Sequence, residues 1–211
     1  IGHVKEVAMR IVHTLPAPPE DRDGKSLESL RLLAEEGLAK KYQATVPDAA
    51  QAQLEWELQV VTDSGHSNQY LMLRDILRQA GVTNIHVRPG YGRLGNSVLA
   101  YALGLCEPDP CAYGLVMAKS TYIFTGAFGI NVSADRAHEL IEYVKAAYRG
   151  VDDGCSTIDL VELPALDYMQ GIVERAGVVN DPGGWSAVPL DDPATYCLLG
   201  NGDTDGVYQL G

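Results

Sequence analysis

"INVSADRAHELIEYVKAAYRGVDDGCSTIDLVEL", Ile130 to Leu163, changes its period twice in one stretch. It opens on the end of "STYIFTGAFGINV", residues 120–132, where β-branched and aromatic residues predict a strand. Ser133 then stands as a cap before "ADRAHELIEYVKAAYRG", a helix with Leu140, Ile141, Val144 and Tyr148 on one face. "STIDLVEL", residues 156–163, returns to strand. Strand, helix and strand in that order predict an α/β or α+β domain around one small mixed sheet flanked by helices.

Upstream the pattern is mostly helical. A first helix is expected over Val4 to His13, ended by the proline-rich linker "LPAPPEDRDG". "SLESLRLLAEEGLAKKY" carries Leu27, Leu30, Leu33 and Leu38 at helical spacing, and Lys40 and Lys41 suit its negative pole. Residues 47–65 and 69–81 read as two more helices, opened by Pro47 and closed by Gly81. A short strand "NIHVR", a glycine-rich loop "RPGYGRLGNS", a short helix "NSVLAYALGL" and a strand at "YGLVM" follow. Downstream, Pro164 starts the helix "ALDYMQGIVERAG", and Asp192 caps a last one with Pro193 in its first position. The expected organisation is an N-terminal helix and linker at 1–25 and a domain at 26–177, followed by a further segment at 178–211. Within the domain, 26–82 is a helical lead-in and 83–163 the sheet core.

Composition narrows the function classes. The chain has 211 residues, 46% of them hydrophobic, enough to bury a real core. Its formal charge of −12, from 28 acidic against 16 basic residues, opposes binding of duplex DNA. Cys106, Cys111, Cys155 and Cys197 form no Cys-x-x-Cys pair, and no apolar run reaches the roughly 18 residues of a membrane span. A cytoplasmic location is therefore expected, with no membrane partner.

Several stretches together resemble one family, the alpha subunit of bacterial DNA polymerase III. "LAEEGLAKKY" and "LEWELQVVTDSGHSNQYLMLRDILRQAG" resemble the helices leading into that family's palm. "RPGYGRLGNSVLAYALGL" is similar to its glycine-rich loop and helix, of the form GPGRGSAAGSLVAYALGI, and "EPDPCAYGLVMAK" follows in order. "ADRAHELIEYV" resembles a helix of the form DRRDEVIEYV, and "VPLDDPATYCLLGNGDTDGVYQLG" the segment that opens the fingers. The resemblance implies a palm of the polymerase-beta-like nucleotidyltransferase kind.

The departures bear on chemistry. Such a palm uses three carboxylates, because two magnesium ions need hard oxygen ligands. The first two positions, an Asp-x-Asp before the DRRDEVIEYV helix, fall here on Gly129 and Asn131, and the third falls on Asp159. A thumb-containing insertion that the family places between that helix and the third carboxylate is replaced by "KAAYRGVDDGCST". No metal centre and no cofactor are expected, magnesium being the one ion the resemblance could bring.

The expected site joins the glycine loop to the strand bearing Asn131 and Asp159. Gly90 and Gly92 allow a ligand to approach the backbone, and the following helix offers its N-terminus to an anion. Arg88, Arg93, Asn96, Ser97 and Lys119 are candidate ligand-binding residues alongside Asn131. His86, Tyr91 and Asp159 are candidate catalytic residues, His86 because imidazole titrates near neutral pH. The leading expectation is a polymerase III alpha-like palm remnant that no longer polymerises DNA and serves as a small-molecule-binding protein or enzyme. The alternatives are a non-catalytic binding module for a replication partner or ligand, and a fragment of a DNA-directed DNA polymerase.

Overall fold

A computed structural model describes residues 12–16, 25–43, 45–83, 85–89, 93–116, 127–149, 157–176 and 191–205. Three long helices come early: α1 (Lys25–Tyr42), α2 (Asp48–Asp63) and α3 (Ser67–Val82). Each buries one stripe: Leu30, Ala34 and Leu38 of α1, Leu54, Leu58 and Val61 of α2, and Leu73, Ile76 and Ala80 of α3. Burying one such leucine contributes roughly 1.5–3 kcal/mol, so this packing, rather than helix propensity, holds the layer together. The short α4 (Val98–Ala102) is buried along its whole length and packs on α1 and α2.

Among the described residues the sheet has four strands in the order β1-β4-β3-β2: β1 (Val12–Pro16), β2 (Val87–Pro89), β3 (Ala127–Val132) and β4 (Thr157–Glu162). β3 and β4 are parallel and joined by α5 (Ala137–Ala147), the crossover read from Ile130–Leu163. β1 and β2 are antiparallel to their neighbours. Alternation along the two central strands buries Ile130, Val132, Ile158 and Leu160 on one face. α5 adds Leu140, Ile141 and Val144 to the core, the face expected from sequence. The fold class is thus the expected one: helices with a small mixed sheet.

Three local expectations are corrected. Val12 and His13 lie in strand β1, paired with Val161 and Leu160, not in a helix. β4 supplies backbone partners that no local pattern announces; the remainder of the expected helix, residues 4–11, is outside the described residues. Where a strand is expected at "YGLVM", residues 113–114 form a turn and 115–116 are irregular chain, while Met117 lies outside the described residues. There the Asp109 side chain accepts from the Cys111 N–H at 2.8 Å, the Pro110 carbonyl from Leu115 N–H, and Gly114 takes φ +64°. Ser133 does not cap α5, which starts after Arg136; its hydroxyl instead lies 2.6 Å from both Asp135 and Asp167.

The chain divides into two units, Ile1–Gln170 and Gly171–Gly211. The division falls inside α6 (Pro164–Ala176). The second unit contains α7 (Pro193–Asn201). Asp192 caps it by accepting from the N–H groups of Ala194 (3.4 Å) and Thr195 (2.9 Å), with Pro193 at its first turn. Gly202 ends it with φ +73°.

Candidate functional site

The sheet brings the expected carboxylate positions together. In the parallel β3–β4 ladder Gly129 pairs with Asp159 and Asn131 with Val161, so all four residues share the face opposite the core. Arg88, in β2, pairs with Asn131 from the other side. Asn131, Asp159 and Arg88 are half-buried, whereas Gly129 is buried. The Arg88 guanidinium forms an ion pair with Glu107, which fixes a cation beside this polar strip.

Two magnesium ions on this face need oxygen ligands from neighbouring strands. Gly129 has none to give, Asn131 offers a neutral amide, and Asp159 supplies the one carboxylate. Among the described residues no three His, Cys, Asp or Glu side chains converge as a metal site. These residues do not fit a two-metal centre.

The loop expected to face this strip is described only in part. Gly90, Tyr91, Gly92 and Lys119 lie outside the described residues. Arg93 opens a single 3-10 turn, Arg93–Asn96, and Asn96 is exposed. Ser97 is 3% exposed and caps α4, accepting from Ala100 N–H at 3.0 Å. His86 sits just before β2, 6% exposed, and its carbonyl accepts from the Ser133 N–H at 2.8 Å. That burial places its ring in the interior.

The amino-terminus of α4 is already filled. Glu57, 1% exposed on α2, accepts from Ser97 Oγ at 2.5 Å, from the N–H groups of Val98 and Leu99 at 3.0 Å each, and from Gln53 Nε2 at 3.0 Å. Four donors compensate the desolvation of its carboxylate, and two of them are the backbone groups that an anionic ligand of this helix start would use. The protein's own side chain occupies the anion seat. Sequence reasoning missed Glu57, although it left a signal: an acidic residue set among Leu54, Leu58 and Val61 on the buried stripe of α2.

The arrangement of lead-in helices, glycine-rich connection, buried α4 and β3–α5–β4 crossover can be set against known proteins. Residues 28–160 match the family described as bacterial DNA polymerase III alpha NTPase domain, which is more than half of the chain. The chain belongs to this family. It is 26% identical over 179 residues to the DNA polymerase III subunit alpha of Aquifex aeolicus (strain VF5), covering 82% of this chain and 15% of that protein. It is 32% identical over 122 residues to the subunit of the same name from Treponema pallidum (strain Nichols), covering 56% and 10%. It is 27% identical over 135 residues to error-prone DNA polymerase 1 of Rhizobium meliloti (strain 1021), covering 62% and 12%. The chain thus spans only 10 to 15% of the length of these polymerase III alpha-type relatives. No helix among the described residues of this family member is long and apolar enough to cross a membrane.

Proposed function

We propose that this chain is a polymerase III alpha-type palm, of nucleotidyltransferase ancestry, that does not carry out two-metal phosphoryl transfer. In this reading the polar strip of Arg88, Asn131 and Asp159 holds a small-molecule ligand. The observation that carries it is the pairing of Gly129 with Asp159, which leaves a hydrogen where a second carboxylate is needed to clamp a metal ion between strands. Asn131 adds an amide suited to hydrogen bonding a neutral or polar group, and Arg88, ion-paired with Glu107, adds guanidinium N–H donors at the edge of the strip. Loss of metal chemistry and retention of the sheet go together here, because the core face of the same strands is independent of the polar face. In the same reading duplex DNA is not a partner, because a chain carrying −12 repels a phosphate backbone.

The reading is tested by titrating the chain with manganese in a calorimeter and by primer extension with a matched template. Neither metal binding nor extension is expected. Tight manganese binding together with extension, both abolished by Asp159→Asn, overturns it. A thermal-shift screen of polar metabolites, repeated on Asn131→Ala, then tests for a ligand on the strip.

A further inference from the structure

Away from the sheet, α1, α3 and the turn after α4 surround an open cleft of about 560 Å³, within the size range of small-molecule sites. Its floor is the crossing of α1 and α4. A Cβ at Gly37 would stand 2.0 Å from the Ala102 carbonyl oxygen, so only glycine permits that approach.

The charge of the cleft runs against that of the chain. Lys40, Lys41 and Arg74 line it against one carboxylate, Glu36, while the chain as a whole carries −12. Lysines at the end of α1 complement its negative pole, which accounts for two of these cations. It does not account for Arg74, which comes from the middle of α3 and is half-buried. Neither Arg74 nor Lys40 has an ion-pair partner among the described residues. The Lys41 ammonium lies 4.7 Å from the centroid of the Tyr101 ring, which is braced edge-on by Tyr42.

A backbone outlier lies at the rim. Gln43, with φ +58°, is the one non-glycine residue with positive φ among the described residues, and it also lines the cleft. Glycine would close α1 there without strain, so Gln43 carries its amide side chain at a conformational cost. A planar guanidinium, two ammonium groups and an amide donor match the oxygens of phosphoryl groups.

We propose that this cleft binds a phosphorylated ligand, with Arg74 as the fork and Lys40 and Lys41 as flanking charges. The site is separate from the polar strip on the sheet, and none of its residues belongs to a strand.

The test is calorimetry on the full chain with two probes, inorganic tripolyphosphate and single-stranded oligothymidylate. Arg74→Gln is expected to weaken binding at least tenfold, Arg74→Lys to weaken it less, and Lys145→Gln, on the far exposed face of α5, to leave it unchanged. Thermal melts confirm that each variant is folded. Binding of tripolyphosphate alone assigns a free phosphorylated ligand. Binding of the oligonucleotide, with an affinity that falls with salt at a log–log slope of about −2 for three neutralised phosphates, assigns a strand backbone. The proposal is overturned if the wild-type chain binds neither probe, or if Arg74→Gln and Lys145→Gln bind alike.

Discussion

Glu57 Oε2 lies 2.5 Å from Ser97 Oγ across the α2–α4 contact, and the same carboxylate accepts the first free N–H groups of α4. Glu57→Gln keeps the volume but turns one acceptor into a donor facing backbone donors. It is expected to lower the unfolding free energy by about 2 kcal/mol or more, and Ser97→Ala alone by about 1 kcal/mol. Urea denaturation of both variants and their double mutant measures the coupling, which should be non-additive.

Gly37 and Gly81 give opposite outcomes for one substitution. Gly37→Ala forces its new methyl against the Ala102 carbonyl and should destabilise by about 1–3 kcal/mol. Gly81, in the last turn of α3, has nothing within 4 Å of a built Cβ. Gly81→Ala should therefore stabilise, by about 0.5–1 kcal/mol. Melting curves of the two variants separate close packing from helix propensity.

Asp75 ties α3 to α5, accepting from Tyr143 Oη at 2.7 Å, Tyr148 Oη at 3.1 Å and Arg78 at 2.8 Å. Burial pushes its carboxyl up, but these donors outweigh burial and hold it below the ordinary aspartate value of 3.8. The folded state then binds fewer protons than the unfolded one, so the stabilisation is complete above that ordinary value and is lost as pH falls through the folded pKa. Asp75→Asn should cost about 1–2 kcal/mol at neutral pH, and its gap from the wild type should close on acidification.

Cysteine reactivity should divide by burial. Cys106 is 3% exposed and its thiol is pushed up to about 11, chiefly by desolvation, whereas Cys197 is exposed on α7. At mildly alkaline pH, iodoacetamide should label Cys197 within minutes and leave Cys106 unmodified until denaturant is added, as read by peptide mass spectrometry.

Much of the fold was legible because its determinants are local. The Asp192–Pro193 start of α7 and the Gly202 end need only neighbouring residues, and the β3–α5–β4 crossover is announced by its changes of period. β1 was not legible, because its partner strand lies far along the chain and its own five residues carry no strong pattern. The candidate site divides in the same way. The pairing of Gly129 with Asp159 follows once two strands are parallel and in register, but the filling of the α4 anion seat depends on a side chain 40 residues earlier. The cations gathered in the cleft come from two helices, Lys40 and Lys41 from α1 and Arg74 from α3, and no linear motif joins them.

Restoring one ligand probes how far the polar strip has moved from metal chemistry. Asn131→Asp changes one atom and puts a second carboxylate on the face that carries Asp159. Manganese affinity by calorimetry should rise measurably over the wild type, and the gain should vanish in Asn131→Asp/Asp159→Asn.

The pairing of β1 with β4 sets a timetable for the chain. Thr14 cannot meet Asp159 until almost the whole intervening sequence has been synthesised, whereas α1, α2 and α3 close through near neighbours. The helical layer can form while the ribosome is still adding β4, but residues 12–16 must wait with their backbone groups unpaired. A truncation ahead of Thr157 therefore leaves an orphaned strand, and aggregation of such products is the hazard this topology carries.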